Sequence, residues 1–333
     1  MTVKNHQKRR KRIPVLVFSF LTIISILLFI EIIGRIIGLG NPALYSASNE
    51  YGYIYAPNQN IWRFGRHIIT NEYSMRSLAL SADDYMRILL LGDSVVHGGT
   101  QNDNTQLAST LLEDSLGHTF NKKIRVLNCA AGGWGPDNEF EYIKKYNHFN
   151  ASMIFLVVSS HDVYKNTIDP RAVGRNPDMP SRKPLFAITE LYKRYLVPRI
   201  TAYYHMHSHR KEPGWNTSFS SDTINAIPRN AGLDSIVSYS FHNSIPLVVL
   251  IHPTLTEVKR NAYDARGKQI ISFFDSLKVS YRLELSARPL AANYLDDIHY
   301  NKSGQRFLFE QMYPVSESFV SRKMVTDSMS VKQ

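Results

Sequence analysis

The sequence predicts a three-layer α/β/α protein, a parallel sheet between two layers of helices, preceded by one membrane-spanning helix. Three observations predict it. A basic cluster runs straight into a long uncharged apolar stretch near the N-terminus. From residue 86 onward, short apolar runs alternate with helix-like segments. The composition is that of a folded chain, with 44% hydrophobic and 20% charged residues among 333, 17 Gly and 15 Pro, which is enough apolar material for a core. Cys129 is the single cysteine, so neither an intramolecular disulfide framework nor a thiolate zinc centre is available. Stability has to come from packing.

In chain order, residues 1–12 form a basic tail. Lys4, Lys8, Arg9, Arg10, Lys11 and Arg12 supply six charges of a net +11. The remainder is scattered, without a Lys/Arg stripe interleaved with aromatics, so nucleic acid is not an expected partner. Residues 13–39 form the anchor, uncharged from Ile13 to Ile30 and still apolar past Glu31 and Arg35. A spanning helix needs about 20 apolar residues, against about 7–15 in a cleavable signal peptide, which favours an uncleaved signal anchor. Cleavage near Tyr45-Ser46-Ala47-Ser48 is the alternative. The positive-inside rule keeps the tail in the cytoplasm and sends the rest across. A single-pass cytoplasmic (inner) membrane protein with an extracytoplasmic folded part is therefore expected. Glu31 and Arg35, spaced i, i+4, can pair where the helix reaches the headgroups. The sequons at Asn150, Asn216 and Asn301 decide nothing, because such short patterns recur by chance.

Residues 40–85, rich in Tyr, Asn and Pro, are expected to be an extended lead-in packed on the main domain, which occupies 86–320 and leaves 321–333 as a C-terminal tail. Apolar runs at 87–91, 124–128, 153–158 and 246–251 read as buried strands. Helix-like stretches at 105–116, 137–146 and 258–277, and a last one after Asn301, alternate with them. This alternation implies a parallel sheet covered on both faces. Segment 163–222 interrupts it with prolines, an amphipathic patch at 188–195 and a polar run at 205–214. It is expected to be an insertion over the rim, and it reads equally well as the place where the substrate is selected or as a surface excursion without function.

In such sheets the chemistry gathers at the carboxyl ends of the strands. There the sequence places Gly92-Asp93-Ser94, then Asn128 and Gly133-Trp134, then Ser159-Ser160-His161-Asp162, and Asp296-Asp297-Ile298-His299 ahead of the last helix. A serine hydroxyl becomes a useful nucleophile only beside a general base that a third group orients. Ser94 fits the nucleophile, His299 the base and Asp296 the orienting carboxylate. The backbone N–H groups of Ser94 and Gly133 fit an oxyanion hole, although Gly132 and Gly135 could serve as turn glycines equally well.

These blocks resemble the SGNH/GDSL hydrolase superfamily from about Arg87 to the final helix. The resemblance implies a flavodoxin-like sheet and assigns Ser94 as nucleophile, Gly133 to the oxyanion hole, and Asp296 and His299 to the rest of the triad. The third block departs from the pattern. The family usually has Gly-x-Asn-Asp, whose asparagine donates to the oxyanion, whereas His161 stands in that place here; an imidazole N–H can donate in the same direction. His97, Trp134 and Tyr164 are candidate substrate contacts beside the rim. His205, His207 and His209 would share one side of an extended strand, but a solvated loop is the better reading, and no metal or other cofactor is expected.

The expected function is thus that of an extracytoplasmic serine esterase or O-acyltransferase, acting on O-acetyl or other short acyl esters of a cell-surface glycan. The layout of tail, anchor, lead-in with Asn71-Glu-Tyr-Ser-Met-Arg76 and hydrolase core is similar to bacterial SGNH proteins associated with cell-surface polysaccharides. The alternatives are a non-catalytic glycan-binding or scaffold component of an envelope assembly, and a lipase or lysophospholipase held near lipid by the anchor.

Overall fold

A computed structural model describes residues 6–164, 169–207 and 230–330. The chain divides into two compact units. One comprises residues 1–42, 62–65 and 182–217, and the other residues 43–61, 66–181 and 218–333.

The first unit contains helix α1, His6–Ile36. Its segment Val15–Ile36 is long and apolar enough to cross a membrane. At 1.5 Å per residue these 22 residues span about 33 Å, against about 30 Å of bilayer hydrocarbon.

The second unit begins with short strands. β1, Tyr45–Ser48, and β2, Gly52–Tyr55, pair antiparallel, so the candidate cleavage stretch is paired backbone. Next come β3, Asn60–Arg63, whose last two residues belong with Phe64 and Gly65 to the first unit, and β4, Arg66–Ile69, which belongs to the second. Phe64 and Gly65 between them both have positive φ, the geometry that matches the twist of a two-residue hairpin.

The main sheet is built from β5, Met86–Gly92, β6, Ile124–Ala130, β7, Met153–Ser159, β8, Leu247–His252, and β9, Tyr281–Leu283. All neighbours are parallel, in the order β6-β5-β7-β8-β9. In the strands' own sequence this is 2-1-3-4-5, a doubly wound order that reverses between β5 and β7. Alternate residues serve opposite faces. Ile88 and Leu90 pack with Val126, Phe155 and Leu250, while Leu89 and Leu91 pack with Leu127, Ile154 and Val249. Both faces are buried, which is why these strands read as continuous apolar runs; each such side chain contributes about 1.5–3 kcal/mol.

The helices are α2, Ser94–His97, α3, Ala108–Phe120, and α4, Pro136–Lys145, then α5, Ala187–Glu190, and α6, Val197–His207. They continue with α7, Ala231–His242, α8, Leu255–Arg260, α9, Ala265–Ser276, and α10, Lys302–Ser330. The single helix expected over 258–277 is two. Thr254 and Glu257 form a capping box that starts α8, and Asn261, left-handed at φ 50°, ends it; Asp264 caps α9 afresh. β9 leaves no signal in the sequence, because three residues are too few for a period to register. His205 and His207 have helical backbone, not the extended conformation required for three aligned imidazoles, and His209 lies outside the described residues, as does the sequon at Asn216.

Candidate active site

The site forms where β5 ends. Gly92 turns the chain from strand to helix in a space that admits no side chain, since a Cβ there would lie 2.5 Å from Val96 and 3.3 Å from the Val157 carbonyl. Asp93 caps α2 by accepting from the Val95 N–H at 2.9 Å. Ser94 is thereby the first residue of a short helix, half-buried between neighbours that are fully buried. Gln305 of α10 fixes this turn, donating to the Val95 carbonyl and accepting from the Ala108 N–H.

The loop before α10 supplies the partners. His299 Nε2 lies 2.9 Å from Ser94 Oγ, and His299 Nδ1 lies 2.7 Å from Asp296 Oδ2. Asp296 Oδ1 also accepts from the N–H groups of Ile298 and His299, at 2.9 and 2.8 Å. Burial acts to raise the Asp296 pKa, but those backbone donors and the imidazole outweigh it and hold the carboxyl below its ordinary value. Behind this loop, His252 Nε2 donates to the Ile298 carbonyl at 3.0 Å, while Glu284 bonds both His252 Nδ1 and the Tyr300 hydroxyl. The residues on either side of His299 are therefore pinned from the core.

The second block follows β6. Asn128 is fully buried and donates to the Val96 carbonyl and to Ser109, which ties β6 to the turn that carries Ser94. Of the three glycines after it, Gly133 is left-handed at φ 83°, and a Cβ on it would lie 2.6 Å from Tyr53 Oη. Only Gly133 combines the turn conformation with a wall that excludes a side chain; Gly132 has open space and Gly135 is extended at φ −122°.

The third block behaves differently from its expected role. His161 Nε2 lies 2.9 Å from Asp93 Oδ2 and Nδ1 lies 2.7 Å from Ser159 Oγ. Both ring nitrogens are engaged by neighbours, so neither is held out as an oxyanion donor. Asp162 binds the Ser159 N–H and hydroxyl. Asp93, His161 and Asp162 bring ligand-type atoms within 4.8 Å of one another, and the bonds just given describe them as a bridge between the loops after β5 and β7.

Two of the candidate substrate contacts are core residues. Trp134 is fully buried, donates its indole N–H to the Tyr53 carbonyl and packs against Tyr51 and Tyr142. His97 is buried edge-on to Tyr55; burial, reinforced by Arg76, pushes its pKa down to about 3, so it is neutral. An aromatic or imidazole next to a motif is as readily a core residue as a wall of the site. The side chain of Tyr164 lies outside the described residues.

Arg76, the last residue of Asn71-Glu-Tyr-Ser-Met-Arg76, supports the site from the lead-in. Arg76 is buried, with its pKa lowered by burial to about 10. It donates to the carbonyls of His97, Gly99 and Asn102 and to Asn104 Oδ1. Asn102 then donates to the Tyr300 carbonyl at 2.9 Å. The lead-in thus clamps the loop that follows Ser94 and links it to the residue after His299. The signal available in the sequence was a lone arginine ending Asn71-Glu-Tyr-Ser-Met-Arg76.

No protein-family model and no curated protein matches the chain. Similar solved structures include the psychrotrophic esterase EstA from Pseudoalteromonas sp., 11% identical, covering 71% of this chain and 98% of that one at a TM-score of 0.39. The lipase/acylhydrolase from Enterococcus faecalis is 8% identical, with 69% and 96% covered and a TM-score of 0.39. The acetyl xylan esterase AlAXEase is 12% identical, with 69% and 99% covered and a TM-score of 0.42. It is the chain's own residues that carry the reading. In the 2-1-3-4-5 order of its sheet, and in the convergence of Ser94, Asp296 and His299 at the end of β5, the chain is similar to the SGNH/GDSL hydrolases.

Proposed function

We propose that the protein is a membrane-anchored serine esterase or O-acyltransferase of the SGNH/GDSL type, acting outside the cytoplasm on acetyl or other short acyl esters of a cell-surface glycan. The observation that carries this is the bonded chain from Ser94 Oγ through the His299 imidazole to Asp296, at 2.9 and 2.7 Å. His299 Nε2 takes the hydroxyl proton as Ser94 Oγ attacks the ester carbonyl, and Asp296 stabilises the imidazolium that forms. The N–H groups of Ser94 and Gly133 meet the developing oxyanion, each worth about 3–4 kcal/mol when well aimed. His299 returns the proton to the departing alkoxide and leaves an acyl-Ser94. Water or a sugar hydroxyl, deprotonated by the same imidazole, then releases the acyl group.

The glycan is supported by the layout of basic tail, single apolar helix, lead-in and hydrolase-like core, and the orientation by the six basic residues before the helix. A second reading, a non-catalytic glycan-binding component, is favoured by one observation: both nitrogens of His161 are engaged by Asp93 and Ser159, which leaves the family's third oxyanion donor without a counterpart. Turnover of acetyl esters by the full chain, compared with Ser94→Ala and with oligosaccharide acceptors present or absent, separates the two. Serine catalysis requires a loss of about 10⁴-fold or more in the variant, and acetylated sugar identifies a transferase. Equal inertness of both proteins, with no labelling of Ser94 by a fluorophosphonate, overturns the enzyme reading.

A further inference from the structure

The unit that contains α1 also holds residues 182–207, and its polar bonds tie that segment to the end of the apolar helix. Glu31 accepts from the N–H groups of Ala187 and Ile188, both at 3.0 Å, and pairs with Arg35 at 2.6 Å. Arg35 in turn donates to the Leu185 carbonyl at 2.6 Å. Small residues make the approach possible: a Cβ on Gly34 would lie 3.1 Å from the Ala187 Cβ. Glu190 accepts from the Gly40 N–H and forms a buried ion pair with Arg63, which also donates to Tyr195 Oη. The start of this segment is thereby held at the level where α1 ends.

From there Ala187–Glu190, a π-helical stretch at Leu191–Leu196 and α6 run on. Tyr192, Leu196, Ile200, Tyr203 and Tyr204 recur at intervals of four, four and three or four, so they line one side of a helix. All five are exposed, Tyr204 at 66%, and Leu185 beside Arg35 is exposed at 85%. Trp62 and Phe64 in the same unit are exposed too, with the Phe64 N–H on the Ile37 carbonyl at 2.8 Å. Lys193 and Arg199 supply positive charge along the same helix. An apolar helical stripe rich in Tyr, flanked by Lys and Arg and fixed to the end of a spanning helix, has the chemistry of the bilayer interface.

We propose that residues 185–204 form an interfacial collar that lies in the headgroup layer of an anionic membrane around the end of α1. Continuity with the spanning helix and the basic flank commit the face to lipid. The inference rests on Val15–Ile36 as a membrane span.

The test uses the full chain in proteoliposomes of mixed phosphatidylglycerol and phosphatidylcholine. In a Cys129→Ala background, an environment-sensitive fluorophore is placed by Ile200→Cys or Tyr204→Cys. Ile26→Cys reports the span, and Phe241→Cys, at an exposed position of the half-buried α7, reports an aqueous surface. Spin-labelled lipid should remove about half the fluorescence at 200 and 204 or more, with iodide having little effect, while Phe241→Cys shows the reverse. Lys193→Gln with Arg199→Gln should weaken the lipid quenching in these vesicles but not in pure phosphatidylcholine. Iodide access at 200 and 204 with Ile26→Cys quenched by lipid overturns the collar alone. Shielding from both quenchers overturns it in favour of a protein partner or a second copy. No lipid quenching at Ile26→Cys overturns the span itself.

Discussion

Two Ser-His-Asp arrays stand side by side at the end of β5, joined by the Asp93-Ser94 peptide. In one, His299 bridges Ser94 and Asp296; in the other, His161 bridges Ser159 and Asp93. The imidazoles are equally exposed, 32% and 31%. The serines and acids are not. Ser94 is half-buried on a helix start and Asp296 is 55% exposed, whereas Ser159 is 2% exposed on the last residue of a strand and the Asp93 side chain 6%. The Ser159 hydroxyl also faces Asp162. The same three residue types thus stand with the hydroxyl open to its surroundings in one array and closed off in the other.

The comparison breaks most sharply at the acids. Asp296→Asn removes the acceptor that fixes the His299 tautomer and should lower ester turnover by about 10³–10⁴-fold, measured as kcat on an acetyl ester. An unchanged rate would mean that Asp296 does not belong to the reactive array.

Support for the two arrays differs as well, because the loop after Ser94 hangs on Arg76. Arg76→Met leaves the buried carbonyls of His97, Gly99 and Asn102 and the Asn104 carboxamide oxygen without their guanidinium donor. It should cost about 3–4 kcal/mol in denaturant unfolding. A loss below about 1 kcal/mol would show that the loop holds itself.

His97 ends α2, just before that loop, and stays neutral, so it sharpens the contrast through pH. Its folded pKa of about 3 lies below its ordinary 6.5. The unfolded chain therefore binds a proton first as pH falls. The stability from neutral His97 is fully present above 6.5 and is lost progressively down to about 3. His97→Gln should flatten the fall of Tm across that window; an unchanged slope would exclude His97 as its source.

At the closed array the effects should be smallest. His161→Ala should lower turnover by less than about 10-fold, because its nitrogens serve Asp93 and Ser159; a loss of about 10² or more would mark it as an oxyanion donor during the reaction. Ser159→Ala should change turnover by less than about 3-fold, since its hydroxyl is closed off from substrate.

Legibility followed the range of the interactions. Strands β5, β6, β7 and β8 could be read because burial on both faces leaves an apolar run in consecutive residues. The paired Asp296 and His299 could be read because one loop holds both. The inward turn of Trp134 and His97 could not, because nothing local distinguishes a side chain facing the site from one facing Tyr51 or Tyr55.

By itself the sequence determined the apolar helix, the alternation of strands and helices, and the order of the four blocks, all of which are written in neighbouring residues. Tertiary structure alone decided which groups meet: Ser94 with His299 across 205 positions, Asp93 with His161 across 68, and Glu31 with Ala187 across 156. Such pairings depend on how the layers pack. The burial of a hydroxyl, which separates the open array from the closed one, is a property of the packed layers and of no residue alone.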